Sequence, residues 1–262
     1  SVARLLNAAP DEIAFVENAT RAFDMAFYAV PFRSGDRILT AEAEYPSNAL
    51  AYLQVAERRG VTVEVVPSDA AGGLDVATLE RMIDDRVRLI AVTHVPTHGG
   101  LVNPAAAIGA VARRHGILYL LDACQSVGQL PLDVEAIGCD MLAASGRKYL
   151  RGPRGTGFLY VRRARLAELE PPFVDQRAAR WVAADRFAWR ADARRFENWE
   201  SFVAGRLGLA AAVDYALEVG VAAMWPRIRD LAARLREELA TIADVTVRDK
   251  GAELSGIVTF TH

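Results

Sequence analysis

Short apolar runs alternate with amphipathic stretches along most of this chain, and that alternation predicts its layout. EIAFV (12–16), DRILTA (36–41), VTVEVV (61–66), RLIAVTHV (88–95), ILYLLDA (117–123), DMLAAS (140–145) and TGFLYV (156–161) read as strands. Most are apolar at consecutive rather than alternate positions, as strands covered on both faces must be. Between them the spacing predicts helices over 20–31, 47–59, 75–84 and 104–115. Asp75 offers a side-chain acceptor to a first turn, Pro104 suits a helix start, and Gly60 suits a left-handed helix exit. Strands and helices in alternation predict an α/β fold, with a seven-stranded, mostly parallel sheet sandwiched by helices.

After residue 162 the pattern weakens. The Arg- and Trp-rich stretch 162–201 has poor periodicity and reads as an irregular segment over an active site or an oligomer surface. Helices are predicted again over 204–220 and 221–242, and strands over 245–249 and 255–262. This places a large unit at 1–205 and the start of a small C-terminal α+β domain at 206–262. A helix remnant before the first strand and a sheet still open at the last residue make both ends look clipped.

Composition changes this picture little. Hydrophobic residues make up 52% and charged residues 24%, ordinary for a soluble globular chain. A net charge of −2 gives no electrostatic case for nucleic acid or an anionic membrane. No apolar run approaches the roughly 18–20 residues that span a bilayer. Cys124 and Cys139 are the sole cysteines, so no disulfide framework is implied and a cytoplasmic location is expected. Of 31 basic residues only Lys148 and Lys250 are lysines. Arginine supplies charge but not an amine that can lose its proton and attack a carbonyl.

The chemistry-bearing residues gather at predicted strand ends, where open α/β sheets bind ligands. In FVENATRAF a helix starts near Thr20, so its free N–H groups and hydroxyl can cradle a phosphate; Asn18 and Thr20 also suit plain helix capping. In YLLDACQSVG, Asp122 ends an apolar strand, and a buried carboxylate needs a partner such as a protonated ring nitrogen; a capping role competes. Gln125 is on the turn that follows. In SGRKYLRGPRGTG, Ser145 and Arg147 can hold a phosphate and Lys148 offers the amine, unless it is a solvated surface lysine. Anion cradle, buried carboxylate and amine together form the set that pyridoxal phosphate (PLP) needs.

In order along the chain, ENAT, EAEYPSNA, THVPTHGGLVNP, LLDACQSVGQLPLDV, ASGRKYLRGPRGTGFLYV and RRFENWES resemble the class-V aminotransferases. That family includes cysteine desulfurases, selenocysteine lyases and isopenicillin N epimerase-like proteins. The resemblance implies a fold-type-I PLP enzyme, a homodimer acting on an amino acid by transamination or by β-elimination of the C–S lyase or desulfurase kind. It makes Lys148 the Schiff-base lysine and Asp122 the pyridinium partner, both catalytic. It gives Gln125 the ring oxygen, and Ala19, Thr20 and Ser145 the phosphate. Three further positions implied to contact the cofactor depart from the desulfurase pattern: Tyr45 stands for a stacking histidine, Thr97 for an asparagine, and Arg147 for the histidine before the lysine. NWES replaces the usual GTPN after RFE. The substrate-carboxylate arginine and any catalytic cysteine are expected beyond His262.

Two other readings stay open, an amino-acid epimerase and a catalytically silent PLP-fold binding protein. The missing G-x-G-x-x-G fingerprint argues against a nucleotide enzyme. His94 and His98 flank Pro96, which prevents a helical metal face, so no metal site is expected. Cys124 and Cys139 read as small core residues.

Overall fold

A computed structural model describes residues 1–262. Helix α1 (Val2–Leu6) precedes the first strand, β1 (Ile13–Val16), which leads into α2 (Ala19–Phe27). Then come β2 (Arg37–Ala41), α3 (Pro46–Arg59), β3 (Thr62–Val66), α4 (Val76–Arg81), β4 (Val87–Thr93), α5 (Ala105–His115) and β5 (Leu118–Asp122). A short α6 (Val134–Ile137), β6 (Met141–Ser145) and β7 (Gly157–Val161) complete the sheet. All seven expected strands are present. They form one sheet in the order β1-β7-β6-β5-β4-β2-β3. The run from β3 to β6 is parallel, and β7 is antiparallel to both β6 and β1.

Covering on both faces explains why these strands carry no polar alternation. Leu89 and Ala91 of β4, Leu118 and Leu120 of β5, and Met141 and Ala143 of β6 join the core under α2 and α3. Their neighbours Ile90, Val92, Tyr119, Leu121, Leu142 and Ala144 join the core under α4 to α6. Successive side chains thus reach opposite cores, as the pleat dictates. The edge strand β3 is half-exposed, and Glu64 there pairs with Arg37 at 2.6 Å, while Arg37 also meets Asp84 at 3.0 Å.

Helix ends follow local chemistry. Asp75 accepts from the N–H groups of Ala77 and Thr78, and Gly60 ends α3 at φ 68°. Two helices are shorter than the spacing predicts: α2 stops at Phe27, before a turn into Pro31, and α4 stops at Arg81. The stretch expected to be irregular contains a hairpin, β8 (Ala179–Ala183) with β9 (Arg186–Trp189), paired antiparallel. Its outer side chains are exposed, Trp181 most of all at 82%, so no apolar alternation marks it in the sequence.

Two longer helices follow, α7 (Val203–Val219) and α8 (Val221–Ala240), then a small antiparallel pair, β10 (Thr246–Val247) and β11 (Phe260–Thr261). Leu209, Val213 and Ala216 of α7 are buried in the sheet's own core. No single helix is long and apolar enough to cross a membrane.

Candidate active site

Parallel strands deliver their C-terminal ends to one edge of the sheet, and one pocket opens there. It is lined by Asn18, Ala19, Thr20, Tyr45, Asn48, Thr93, Thr97, Asp122, Cys124, Gln125, Ser145, Arg147 and Lys148. All nine residues that the sequence nominates are in this set, although they span 130 positions of chain from Ala19 to Lys148.

Asp122 ends β5 with 5% of its surface exposed. Its Oδ1 accepts the Cys124 N–H at 2.9 Å, and its Oδ2 accepts from Asn48 Nδ2 at 2.9 Å. Burial raises its pKa, opposed by those two hydrogen bonds and by the positive charge of Lys148. One accepted bond per oxygen leaves lone pairs for a donor inside the pocket. Asp122 thus caps the turn after β5 through the Cys124 N–H and keeps further lone pairs unshared.

Lys148 lies half-buried in the turn after β6, close enough for its positive charge to lower the pKa of both Asp122 and the Cys124 thiol. Ser145 is the last residue of β6 and is 5% exposed. On the opposite wall, Asn18 caps α2 by accepting the Arg21 N–H at 2.8 Å. Thr20 has no part in that cap and keeps its hydroxyl for the pocket. The first-turn N–H groups of Ala19 and Thr20 have no intrahelical acceptor, as at any helix start. Gly157 lets this start lie against the sheet, because a Cβ there would fall 2.7 Å from the Asn18 carbonyl carbon.

Tyr45, Thr97 and Arg147 form the outer rim and are all exposed, Tyr45 at 38%. Gln125 is half-buried, and its carbonyl accepts from Gln129 Nε2 at 2.8 Å. His94 is buried beside the site and His98 is exposed; burial alone drives the His94 pKa down to about 4.

Four pocket or near-pocket residues escaped the sequence reading. Cys124 is not a core residue: it lines the pocket, and its thiol pKa is raised by burial and by Asp122, against the pull of Lys148. Cys139 is in the core, fully buried. Asn48, Thr93 and Glu44 complete a polar network behind Asp122. The EAEYPSN stretch held the signal, because Glu44 and Asn48 stand four apart at a helix start, which brings them together.

Fold and site together define an α/β protein with an amine, a carboxylate and a helix start around one pocket. The chain belongs to the Aminotransferase class-V family, which matches it over residues 1–262. It is 37% identical over 245 residues to a probable cysteine desulfurase of Methanothermobacter thermautotrophicus, covering 93% of this chain and 60% of that protein. It is 33% identical to a cysteine desulfurase of Salmonella gallinarum, covering 98% of this chain and 64% of that one. The chain thus spans under two-thirds of the length of these curated relatives. Among solved structures, the apo cysteine desulfurase of Thermococcus onnurineus superposes with a TM-score of 0.93 at 28% identity, over 100% of this chain and 66% of that one. The cystine C-S lyase C-DES, in complex with its reaction product cysteine persulfide, superposes at 0.91 with 29% identity, over 99% of this chain and 70% of its own. A mutant of C-DES holds glycine covalently linked to its PLP cofactor and superposes equally well, at 0.91.

Proposed function

We propose that this protein is a PLP-dependent enzyme that acts on an amino acid bearing sulfur, cleaving its C–S bond by β-elimination or desulfuration. One observation carries the reading: Lys148, Asp122 and the start of α2 converge on a single pocket. The pocket fits the cofactor on its own chemistry. Asp122 is buried with spare lone pairs and no cation bonded to it, which suits a ring N–H⁺; the α2 N–H groups, with Thr20 and Ser145, suit a phosphate.

When bound, PLP supplies an electron-poor ring that accepts the electron pair left at the amino acid Cα. The chain's residues do the rest. Lys148 holds the cofactor and then serves as the base whose Nζ takes up and returns the Cα proton. Asp122 accepts from the ring nitrogen and keeps it protonated. Ala19, Thr20 and Ser145 would hold the phosphate, Gln125 the ring oxygen, and Tyr45 would supply an aromatic partner for the ring. Thr97 and Arg147 line the entrance. Burial and the charge of Asp122 raise the Cys124 thiol pKa against the pull of Lys148, which disfavours the thiolate form.

The homodimer, cytoplasmic location and second small unit over 206–262 belong to the same proposal. Phe173, Trp181, Phe187, Trp199 and Phe202 are each exposed, and large apolar side chains left in solvent support association of two copies. Two unpaired thiols are consistent with a reducing compartment.

The test is to add PLP, record a visible absorption band, reduce with borohydride and map the modified residue by mass spectrometry. Pyridoxyl on Lys148, with sulfide and pyruvate released from cysteine or cystine, is expected. Absence of the band, or the label elsewhere, overturns the reading. Band and label without turnover across amino acids would favour a silent binding protein, and a D-isomer product would favour the epimerase.

A further inference from the structure

Behind Asp122 lies a second carboxyl group, that of the half-buried Glu44, with no cation paired to it. Glu44 Oε1 accepts from the Tyr45 N–H at 2.6 Å, from Asn48 Nδ2 at 3.0 Å and from the Thr93 hydroxyl. Its Oε2 accepts from Thr40 Oγ1 and Tyr52 OH, each at 3.0 Å. Burial raises the Glu44 pKa, and the bonds from Thr93, Tyr45 and Asn48 oppose that rise by favouring the ionised form.

Asn48 connects this hub to the pocket. It is 2% exposed in the first turn of α3, and its single Nδ2 donates to Glu44 Oε1 and to Asp122 Oδ2. The chemistry fixes the amide's orientation. Turned over, its oxygen would face two carboxylate oxygens and both hydrogen bonds would become repulsions. Glu44 is in turn held by a backbone N–H that cannot turn away.

We propose that Asn48, locked by Glu44, is a positioning residue: it fixes Asp122 Oδ2 and keeps that carboxylate ionised, so that the free lone pairs point at the cofactor ring nitrogen. Its purpose rests on the PLP reading above, but the hydrogen-bond relay does not. The charged and titratable groups facing Asp122 are few. From the β2–α3 connection and α3 come Glu44, Asn48 and, through Glu44, Tyr52. From the turn after β5 comes Cys124, and from the turn after β6 comes Lys148. Just after β4, His94 gives only its backbone N–H, to the Asp122 carbonyl at 2.9 Å. Of the two other groups that bear on the Asp122 carboxylate directly, Lys148 is given over to substrate and the Cys124 N–H holds the other oxygen, so Asn48 alone controls Oδ2.

The test follows Asp122 by isotope-edited infrared spectroscopy on the cofactor-free full-length protein. The protonated-carboxyl band is assigned by its loss in Asp122→Asn. In Asn48→Leu, which keeps size and removes the donor, the midpoint should rise by about one pH unit, a tenfold change in proton affinity. After reloading, the pH profile of the visible band should shift, with kcat falling and KM held. A midpoint coincident with wild type overturns the proposal. Should Asn48→Leu not fold, the unaltered protein still decides. Its Asn48 side-chain amide resonances should exchange slowly and follow the Asp122 titration; fast exchange with no pH response overturns it. Failure of the wild-type protein to take up PLP would instead sink the functional reading, leaving the carboxyl titration intact.

Discussion

The floor and the rim of the pocket are built differently. On the floor, Asp122, Ser145, Asn48 and Thr93 are buried to within 5% exposure, and Asp122 and Ser145 terminate adjacent parallel strands. On the rim, Tyr45, Thr97 and Arg147 are exposed, on loops or a helix start. The three single-residue departures from the desulfurase pattern, Tyr45, Thr97 and Arg147, all fall on the rim and none on the floor. Chemistry common to many reactions needs groups held rigidly in a low-dielectric setting, which the sheet supplies. Choice of substrate needs only contacts at the mouth, and solvated loops can change there at little cost to folding.

This contrast predicts a steep gradient of mutational effects. Lys148→Ala should be the most severe, lowering kcat by about 10³-fold or more through loss of both attachment and proton transfer. Steady-state assay of sulfide release, paired with borohydride labelling, checks it; retained turnover would remove Lys148 from the chemistry. Asp122→Asn comes next, with a fall of about 10²-fold in kcat, since the amide cannot keep a ring nitrogen protonated. Its thermal melt should remain cooperative, which separates a chemical loss from an unfolded protein.

The floor should also respond to pH through its neighbour His94. Its folded pKa of about 4 is below the unfolded value near 6.5, so the unfolded chain binds the extra proton across that window. Stability from this group is complete above about pH 6.5 and is lost as pH falls toward 4, amounting to about 3 kcal/mol. Chemical denaturation at several pH values checks this. His94→Gln should flatten the slope between those limits, and an unchanged slope would assign the acid sensitivity to other groups.

The floor was also the more legible part of the sequence. Seven strands could be read because consecutive apolar residues have only one comfortable fate, two covered faces, and Asp122 and Ser145 followed as the polar residues ending such runs. The hairpin at 179–189 could not, since its side chains face solvent and leave no alternation to detect. Cys124 was misplaced in the core because its identity is compatible with burial, and only the turn after β5 directs it into the pocket. Glu44 and Asn48 were overlooked for a different reason. Their importance comes from contact with Asp122, 74 positions away from Asn48, and short-range spacing carries no record of that.

The smallest effects should come from the rim, and they sharpen the comparison most. Arg147 is exposed, and exposed charges contribute about 1 kcal/mol or less to an interaction. Arg147→His and Thr97→Asn, which restore the desulfurase residues, should therefore change kcat/KM for any one substrate by under about tenfold, since tenfold corresponds to about 1.4 kcal/mol. What should move is the ranking between cysteine and cystine, because the two differ in bulk beyond the sulfur, where a rim side chain would meet them. Parallel kcat/KM measurements on both substrates decide it. A loss of 10²-fold or more on both would mean that the rim takes part in the chemistry, and the division between floor and rim would fail.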